Sequence, residues 1–364
     1  MDKLDEHWIT EDWEILETLL PEGWREKARE LKALARARKI RTPEELLRLL
    51  LLHVGPGLSL EHAVIRAAQC GLPQITDVAL LHRMKCSGEW LRWICEQLIN
   101  EQKIRSNWTV PGSNLRMIAV DSTDITEPGP TGSDWRLHYA IEMPGVFCVH
   151  AELTDKHGGE SLCRYPVGKN DLLSGDRNYC KENQIKHVLE RGGHVLLRWH
   201  STALPLFNAK GAPVNVPGWL KKVGRKGAEQ PVFTKGGVAL RLCAVPVSKE
   251  AAERERDKLR ESARKNGRQV SERSLRLAGY VVVVTSLPEG EFSARAVLNL
   301  YRMRWQIELA FKRLKSLLNT GHVPKVAPDS VRAWMQAKLL TNFLIEKLLL
   351  EAEVFSPWGF ILVE

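Results

Sequence analysis

The hydrophobic pattern of this chain changes its period near Pro111, and this change limits the possible fold more than any other feature. Before Pro111, apolar residues recur at helical spacing, and helix starts are predicted at Thr42-Pro43 and at Ser59. After Pro111, three apolar runs of strand length follow one another, at residues 115–120, 135–141 and 146–153. The short connections between these runs predict an antiparallel meander. The sequence therefore predicts a helical region joined to a sheet.

The segments after the meander alternate between strand and helix. Strands are predicted at 172–175 and 194–199, on either side of a helix at about 181–191. Three strands followed by alternating helices and strands predict an α/β fold with the layout of ribonuclease H. A long apolar helix is predicted at 331–350. Because 364 residues can bury more than one core, we expect two or three domains.

Composition limits the partners and the compartment. Lysine and arginine outnumber aspartate and glutamate by 53 to 44, and the resulting net charge of +9 favours a polyanionic partner. The seven cysteines lack a paired spacing, so neither a disulfide framework nor a zinc site is predicted. The first residues lack an apolar signal segment, and the longest leucine run, 46–52, is too short to cross a bilayer. We expect a cytoplasmic protein without a membrane segment.

The helical region has basic edges that suit nucleic acid. Its basic residues include Arg36, Arg38, Lys39, Arg41, Arg66, His82, Arg83 and Lys85. A helix pair is predicted around the turn at 86–88, and a DNA-binding domain of helix-turn-helix type fits this pattern. A plain helical bundle fits it as well, so both interpretations stay open.

One amphipathic stretch, residues 300–318, carries an unusual group of polar side chains. Read as a single α-helix, it places five residues within an arc of roughly 80°. They are Tyr301, Arg304, Glu308, Lys312 and Lys315. One carboxylate thus lies among four residues suited to binding phosphate, beside an apolar band that would dock the helix on a core. The alternative is a solvated helix face on which Glu308 pairs with Arg304 or Lys312.

Two aspartates, Asp121 and Asp176, each end an apolar strand run. Taken alone, an aspartate in such a position more often caps a turn. Together with Glu308, however, they supply three carboxylates on rigid elements, and carboxylate oxygens are the ligands that Mg²⁺ or Mn²⁺ prefers. A pair of such ions can activate a nucleophilic oxygen and stabilise the leaving 3′-oxygen of a phosphodiester.

These residues together resemble a known family. The spacing Y-x2-R-x3-E-x6-K from Tyr301 to Lys315, the AVDST context of Asp121 and the GDRNY context of Asp176 are similar to those of bacterial DDE transposases. More narrowly, the sequence resembles insertion-sequence family four, which carries this Tyr-Arg-Glu-Lys signature. The resemblance extends over about 75–347.

The resemblance implies a ribonuclease-H-like catalytic core in which Asp121, Asp176 and Glu308 hold two Mg²⁺ or Mn²⁺ ions. It also implies a β-rich insertion, at about 200–278, before the last of the three acids. The spacing agrees with this, because 132 positions separate Asp176 from Glu308 but only 55 separate Asp121 from Asp176. The expected domains are a helical DNA-binding domain at 1–109, the catalytic domain at 110–330 and a C-terminal helical segment at 331–364.

The resemblance also implies a set of DNA contacts. The residues implied to contact phosphates near the cleaved bond are Tyr301, Arg304 and Lys315. Lys312, on the same helix face, and Arg177, next to the second aspartate, are further phosphate candidates. Tyr280 begins a predicted strand, at a position where relatives that form a DNA hairpin often carry Trp. It is therefore implied to stack on an extruded base, with an ordinary strand tyrosine as the alternative.

The activity expected from this resemblance is cut-and-paste transposition. It would comprise metal-dependent hydrolysis at the transposon ends, a hairpin intermediate and strand transfer into target DNA. A homodimer on double-stranded DNA would carry it out, in the cytoplasm of a bacterium and on its nucleoid. The two alternatives are a DNA nuclease with the same fold and a transposase-derived DNA-binding regulator without catalysis.

Overall fold

The structure is a computed structural model that describes residues 13–105, 108–129, 134–145 and 147–355. The described residues form a mixed α/β protein in which helices flank one eight-stranded sheet. The strands are β1 Arg116–Ile125, β2 Trp135–Glu142, β3 Phe147–Asp155, β4 Asp171–Gly175, β5 His194–Arg198, β6 Ala228–Phe233, β7 Ala239–Pro246 and β8 Tyr280–Thr285. The helices are α1 Trp24–Glu30, α2 Pro43–Val54, α3 Leu60–Gln69, α4 Asp77–Cys86, α5 Gly88–Arg105, α6 Glu182–Leu189, α7 Val216–Leu220, α8 Lys249–Lys265, α9 Glu272–Leu277, α10 Ala294–Met303, α11 Gln306–Leu317 and α12 Pro328–Phe355. Two short 3₁₀ helices cover Leu162–Arg164 and Arg177–Tyr179.

Capping side chains start the N-terminal helices at the predicted residues. The Thr42 hydroxyl accepts a hydrogen bond from the backbone N–H of Glu45, and the Glu45 carboxylate accepts one from the backbone N–H of Thr42. Pro43 occupies the first helical position, where its missing N–H costs nothing. Ser59 caps α3 in the same way, through the backbone N–H of His62. The predicted starts at Thr42-Pro43 and Ser59 are confirmed.

The C-terminal helix α12 packs against the N-terminal helices. The Lys338 ammonium donates a hydrogen bond to the Gly55 carbonyl at 3.2 Å, and the Lys347 ammonium donates one to the Leu19 carbonyl at 2.9 Å. Trp334 and other apolar residues of α12 are buried in a core that also contains α2 and α5. Both ends of the described chain therefore share one hydrophobic core.

The sheet has the strand order β3-β2-β1-β4-β5-β8-β7-β6. Strands β1, β2 and β3 form the predicted antiparallel meander, whereas β4 pairs with β1 in parallel and β5 pairs with β4 in parallel. Alternate residues of β1 face the two sides of the sheet, since Ala119 belongs to one buried core and Val120 to another. Both faces of the central strands are thus covered, as parallel strands require.

Residues 200–278 add to the sheet instead of forming a separate one. Strands β6 and β7 lie in this segment, and β7 pairs antiparallel with β8, which in turn pairs antiparallel with β5. Between β7 and β8 the chain forms α8 and α9, and α8 ends before Asn266-Gly267, where Gly267 has a φ of 61°. The segment therefore contains both strands and helices, and one edge of the sheet depends on it.

Two local predictions are wrong. Residues 300–318 do not form one helix, because α10 ends at Met303 and α11 begins at Gln306. At the junction the backbone N–H groups of Arg304 and Glu308 bond to carbonyls three residues earlier, which tightens the chain into a 3₁₀-like turn. Asp121 does not end its strand either, because β1 continues to Ile125 and pairs with β2 throughout.

Within the described residues, no helix is both long and apolar enough to cross a bilayer. The predictions made for the first 12 residues and for the last part of the C-terminal segment, 356–364, lie outside the described residues.

Candidate active site

Asp176 directly follows β4 and starts the 3₁₀ helix Arg177–Tyr179. One carboxylate oxygen of Asp176, Oδ1, accepts a hydrogen bond of 2.8 Å from the backbone N–H of Asn178. Gly175 allows close packing at this turn, because a Cβ at this position would approach the Tyr179 ring to 3.1 Å and a Leu197 methyl to 3.3 Å. The predicted position of Asp176 at a strand end is confirmed, and its side chain is fixed by the backbone.

Asp121 lies beside Asp176 on the neighbouring strand. The parallel register pairs Ala119 with Ser174, so the two aspartates occupy corresponding positions two residues further along β1 and the chain after β4. Asp121 Oδ1 accepts a hydrogen bond of 2.8 Å from the Ser122 N–H. Only 19% of the Asp121 side chain is exposed. Two acids are thus held close together in a poorly solvated position.

Burial and neighbouring acids raise the pKa of both aspartates. Burial is the main reason that the pKa of Asp121 rises to about 7, and the charges of Asp176 and Glu160 raise it further. Burial also raises the pKa of Asp176, again with a contribution from Glu160. Arg304 opposes the shift at both positions. The site therefore has an excess of negative charge that a cation would relieve.

Arg304 connects the first acid to the third. Its guanidinium lies 3.7 Å from Asp121 Oδ2 and donates a hydrogen bond of 2.6 Å to Glu308 Oε1. The Arg304 side chain is only 14% exposed, its Nε has no hydrogen-bond partner among the described atoms, and its charge lies 5.8 Å from the Tyr301 ring centre. Glu308, in the first turn of α11, is 47% exposed. The ion pair between Arg304 and Glu308, which was the alternative interpretation of this polar face, is therefore present.

The donor chemistry of this group suits a hard divalent cation, but the three acids do not form one cluster. Among the described residues, no three His, Cys, Asp or Glu side chains are grouped closely enough to hold a metal ion. Asp121 and Asp176 offer adjacent carboxylate oxygens, the donors that Mg²⁺ and Mn²⁺ prefer, whereas Glu308 is held in its pair with Arg304. The residues present therefore fit a metal in donor type, with Glu308 as the acid that must turn toward the other two.

A cavity of about 470 Å³ collects most of the other predicted site residues. The predicted residues that line it are Asp176, Arg177, Tyr280, Tyr301, Arg304 and Glu308. Its remaining walls come from the end of β5 and from α8 and α9, which contribute Glu255 and Leu277 among others. Lys312 and Lys315 do not line it; they are exposed on α11, about one and two turns beyond Glu308. The structure thus brings six predicted residues around one concavity, whereas Asp121 and the two lysines do not line it.

Two residues of this site were missed in the sequence. Glu160 lies in a loop after β3, where its carboxylate accepts a hydrogen bond of 2.7 Å from the Ser122 hydroxyl and acts on both aspartates. Its only sequence signal is its place in the Gly158-Gly159-Glu160 turn. Arg198, in β5, lines the cavity and donates a hydrogen bond to the Tyr280 carbonyl at 3.0 Å.

Three arginine side chains, Arg177, Arg198 and Arg304, also line this cavity. Burial lowers the pKa of Arg198, and the charges of Arg177 and Arg304 lower it further. Three arginine side chains that repel one another at a cavity wall form a site that an anion stabilises. The cavity thus joins carboxylates suited to a cation with guanidinium groups suited to a phosphate.

The chain matches known transposases in sequence. A family model described as the transposase DDE domain matches residues 113–344. A protein of Escherichia coli named as a transposase, InsL of insertion sequence element IS186A, is 33% identical over 347 residues, covering 93% of each chain. The transposase for insertion sequence element IS421 of Escherichia coli is 33% identical over 348 residues, again covering 93% of each chain. A shorter match, 29% over 132 residues, covers 34% of this chain and 26% of the transposase for IS231B of Bacillus thuringiensis.

The chain therefore belongs to the DDE transposase family, whose members are metal-dependent DNA nucleases and strand transferases. Its similarity to the transposases of IS186A and IS421 places it in insertion-sequence family four, as the Tyr-Arg-Glu-Lys signature indicated. Its activity is cut-and-paste transposition of DNA.

Proposed function

We propose that Asp121, Asp176 and Glu308 are the catalytic carboxylates of this transposase. The observation that carries the proposal is the position of Arg304, which contacts the first of these acids and the last. Asp176 lies next to Asp121 on the adjoining strand and shares the cavity with Glu308. One arginine thus links acids that lie 187 positions apart in the sequence.

The same proposal assigns the catalytic core to the ribonuclease H class. An antiparallel meander, β3-β2-β1, continued by parallel β4 and β5, supports this assignment, with the acids on β1 and directly after β4. Residues 110–330 would then form the catalytic domain, with the insertion at about 200–278. The helical residues before it would bind DNA, and the segment from 331 would complete the helical layer.

The three carboxylates would hold Mg²⁺ or Mn²⁺, two ions per site. Divalent ions bound there would activate water for attack and neutralise charge at the scissile phosphate. For Glu308 to bind metal, its hydrogen bond with Arg304 must break. The Arg304 guanidinium is then free to bind two phosphate oxygens in a bidentate manner. Arg177 and Tyr301 would contact the same phosphate group from the cavity wall, and the exposed Lys312 and Lys315 would contact DNA beyond it.

The reaction on DNA then follows in three stages. Water attacks the phosphodiester at the transposon end and releases a 3′-hydroxyl. This hydroxyl attacks the opposite strand to form a hairpin, which a second water reopens. The new 3′-hydroxyl finally attacks a phosphodiester of target DNA and joins the element to it. A homodimer that pairs two ends would coordinate these stages on the bacterial nucleoid.

Mapping the products of one reaction tests this function. The protein is incubated with Mg²⁺ and linear DNA that carries its own element's ends and flanks, beside a non-end duplex of equal length. We expect cleavage only at the element's ends, followed by joining to added target DNA. Hydrolysis of both duplexes without joining would identify a nuclease instead. Binding without any cleavage would identify a regulator.

Replacing Tyr280 by Ala is expected to reduce hairpin formation by about 10- to 100-fold and to leave the first nick intact. Tyr280 is half-buried at the start of β8 and lines the cavity, and base–aromatic stacking contributes on the order of 1–3 kcal/mol. Tyr280→Phe, which keeps the ring, is the matched control and should retain the hairpin. Nicks and hairpins are resolved on denaturing gels. An unchanged hairpin yield in Tyr280→Ala would contradict the stacking role.

A further inference from the structure

Glu160 is an acid beside the active site that the Tyr-Arg-Glu-Lys signature does not contain. Its carboxylate accepts a hydrogen bond of 2.7 Å from the Ser122 hydroxyl, and Ser122 directly follows Asp121 in β1. The negative charge of Glu160 also acts on both Asp121 and Asp176. Glu160 therefore lies close to the two aspartates, although it belongs to the loop after β3.

Two side chains hold the loop that carries Glu160. The Arg164 guanidinium donates a hydrogen bond of 2.8 Å to the Gly159 carbonyl, directly before Glu160 in the chain. The side-chain carbonyl of Gln184, in α6, accepts a hydrogen bond of 3.0 Å from the Leu162 N–H. The backbone on both sides of Glu160 is thus fixed by side chains, so its carboxylate has a defined position.

The end of this loop is tied to the backbone of the active site. The Tyr165 hydroxyl donates a hydrogen bond of 3.1 Å to the Asp121 carbonyl. The same hydroxyl lies 3.2 Å from that of Tyr179, in the 3₁₀ helix that Asp176 starts. The segment from Glu160 to Tyr165 therefore moves with the two aspartates as one unit.

Glu160 lacks a cationic partner, although two arginines lie near its loop. Within the described part of the chain, Glu160 forms no salt bridge. Arg136 pairs with Asp124 at 3.0 Å. Arg164 pairs with Glu152 at 2.9 Å. A half-buried third acid beside two aspartates is unfavourable in the metal-free protein and becomes favourable when a cation binds there.

We propose that Glu160 is a positioning residue of the metal site, which strengthens cation binding by Asp121 and Asp176 through its charge without being a ligand itself. Mg²⁺ keeps several waters when it binds to proteins, so an acid near the ligands acts on the ion without touching it. Such neighbours of the ligands typically contribute about 10- to 100-fold in metal affinity. The inference rests on the proposed function, because it takes the two aspartates as ligands.

Binding of Mn²⁺ to the full chain without DNA tests the proposal. The EPR signal of free Mn²⁺ is measured during a titration, because bound Mn²⁺ loses this signal. Glu160→Gln keeps an oxygen for the Ser122 hydroxyl but removes the charge, and we expect its dissociation constant for Mn²⁺ to rise about 10- to 100-fold. Glu160→Asp keeps the charge and should bind Mn²⁺ nearly as tightly as the wild type. Glu291→Gln, which removes an exposed acid elsewhere, is the control and should bind like the wild type.

Stability without metal separates support of the cation from support of the fold. In EDTA, the denaturation midpoint of Glu160→Gln should equal or exceed that of the wild type, because a like charge beside the aspartates has been removed. If Glu160 instead stabilised the fold through its hydrogen bond, the midpoint would fall.

The metal dependence of cleavage gives a further measurement. Glu160→Gln should need about 10- to 100-fold more Mn²⁺ than the wild type for half of its maximal rate on end-containing DNA. At saturating Mn²⁺ its maximal rate should approach that of the wild type. A maximal rate that stays low at every Mn²⁺ concentration would contradict the proposal.

Three further results would overturn it. The first is an unchanged dissociation constant for Mn²⁺ in Glu160→Gln, and the second is an equal loss in Glu160→Asp. The third is a lower midpoint in EDTA or a failure of Glu160→Gln to fold. Asp121→Asn separates this inference from the ligand assignment. If Asp121→Asn binds Mn²⁺ like the wild type, the ligand assignment fails; if only Glu160→Gln does so, the role of Glu160 alone fails.

Discussion

Replacing Glu308 by Gln is expected to lower strand cleavage at transposon ends by about 10³-fold or more without weakening DNA binding. A neutral amide loses the charge that a divalent cation needs from its ligand, and several kcal/mol of charge stabilisation at the phosphate are lost with it. Glu308 is partly exposed, and within the described part of the chain its ion pair is with Arg304, so its replacement should not unfold the protein. Single-turnover cleavage in Mg²⁺ and anisotropy on the same duplex measure the two effects.

Two further variants make this result specific. Glu291→Gln removes an exposed carboxylate that does not line the cavity, and it should cleave at the wild-type rate. Glu160→Gln is the informative comparison, because Glu160 acts electrostatically on both aspartates. If Glu160→Gln abolishes cleavage while Glu308→Gln does not, the third acid is Glu160 and the assignment made from the signature is wrong.

Replacing Asp121 by Asn is expected to abolish cleavage and, at the same time, to stabilise the metal-free protein at high pH. Burial raises the pKa of Asp121 from 3.8 to about 7, so the folded state holds a proton that the unfolded chain releases near pH 4. The contribution of Asp121 to the free energy of unfolding therefore falls as pH rises from about 4 to about 7, and stays low above that. The variant lacks this loss, so at pH 8 it should be more stable by about 2–4 kcal/mol, and at pH 4 nearly equal.

Denaturant unfolding in EDTA at pH 4 and pH 8 measures this difference. Asp124→Asn is the matched control, since Asp124 lies on the same strand but forms an exposed pair with Arg136 at 3.0 Å. It should cleave normally and lose at most about 1 kcal/mol. A loss of stability in Asp121→Asn at pH 8 would show that the carboxylate has a structural role. Cleavage by Asp121→Asn near the wild-type rate would show that Asp121 is not a catalytic carboxylate.

Much of the architecture could be predicted from the sequence because local signals and tertiary packing agree. The capping residues Thr42 and Ser59 accept hydrogen bonds from backbone N–H groups three residues later, which starts their helices. The strands of the meander follow from apolar runs with short connections. Asp176 was correctly located because the chain must leave the sheet at Gly175, whose missing Cβ admits the Tyr179 ring. The contacts of the caps and of Gly175 with Tyr179 lie within a few residues of one another, and the meander pairs strands that are adjacent in the sequence.

The wrong predictions depend on contacts between distant residues. Strand β1 continues past Asp121 because β2 offers it partners, including Arg136 for Asp124, although the segment 121–124 is polar. No proline or glycine in the sequence signals the 3₁₀-like turn at Arg304. An uninterrupted helix would show the same amphipathic pattern, so the sequence does not distinguish the two. Glu160 lies in a glycine-containing loop without periodicity, so only the fold shows that it approaches the aspartates.

The sheet order also determines what can be removed from this transposase. Strand β8 is held on one side by β5 and on the other by β7, and Tyr280 and Leu277 of this region form part of the cavity wall. A shortened chain lacking residues 200–278 would leave the valine-rich strand β8 with an open edge, a template on which other chains can add strands. The polypeptide between Asp176 and Glu308 therefore supports strand β8 and the cavity beside it. We expect a minimal nuclease made by deleting residues 200–278 to aggregate.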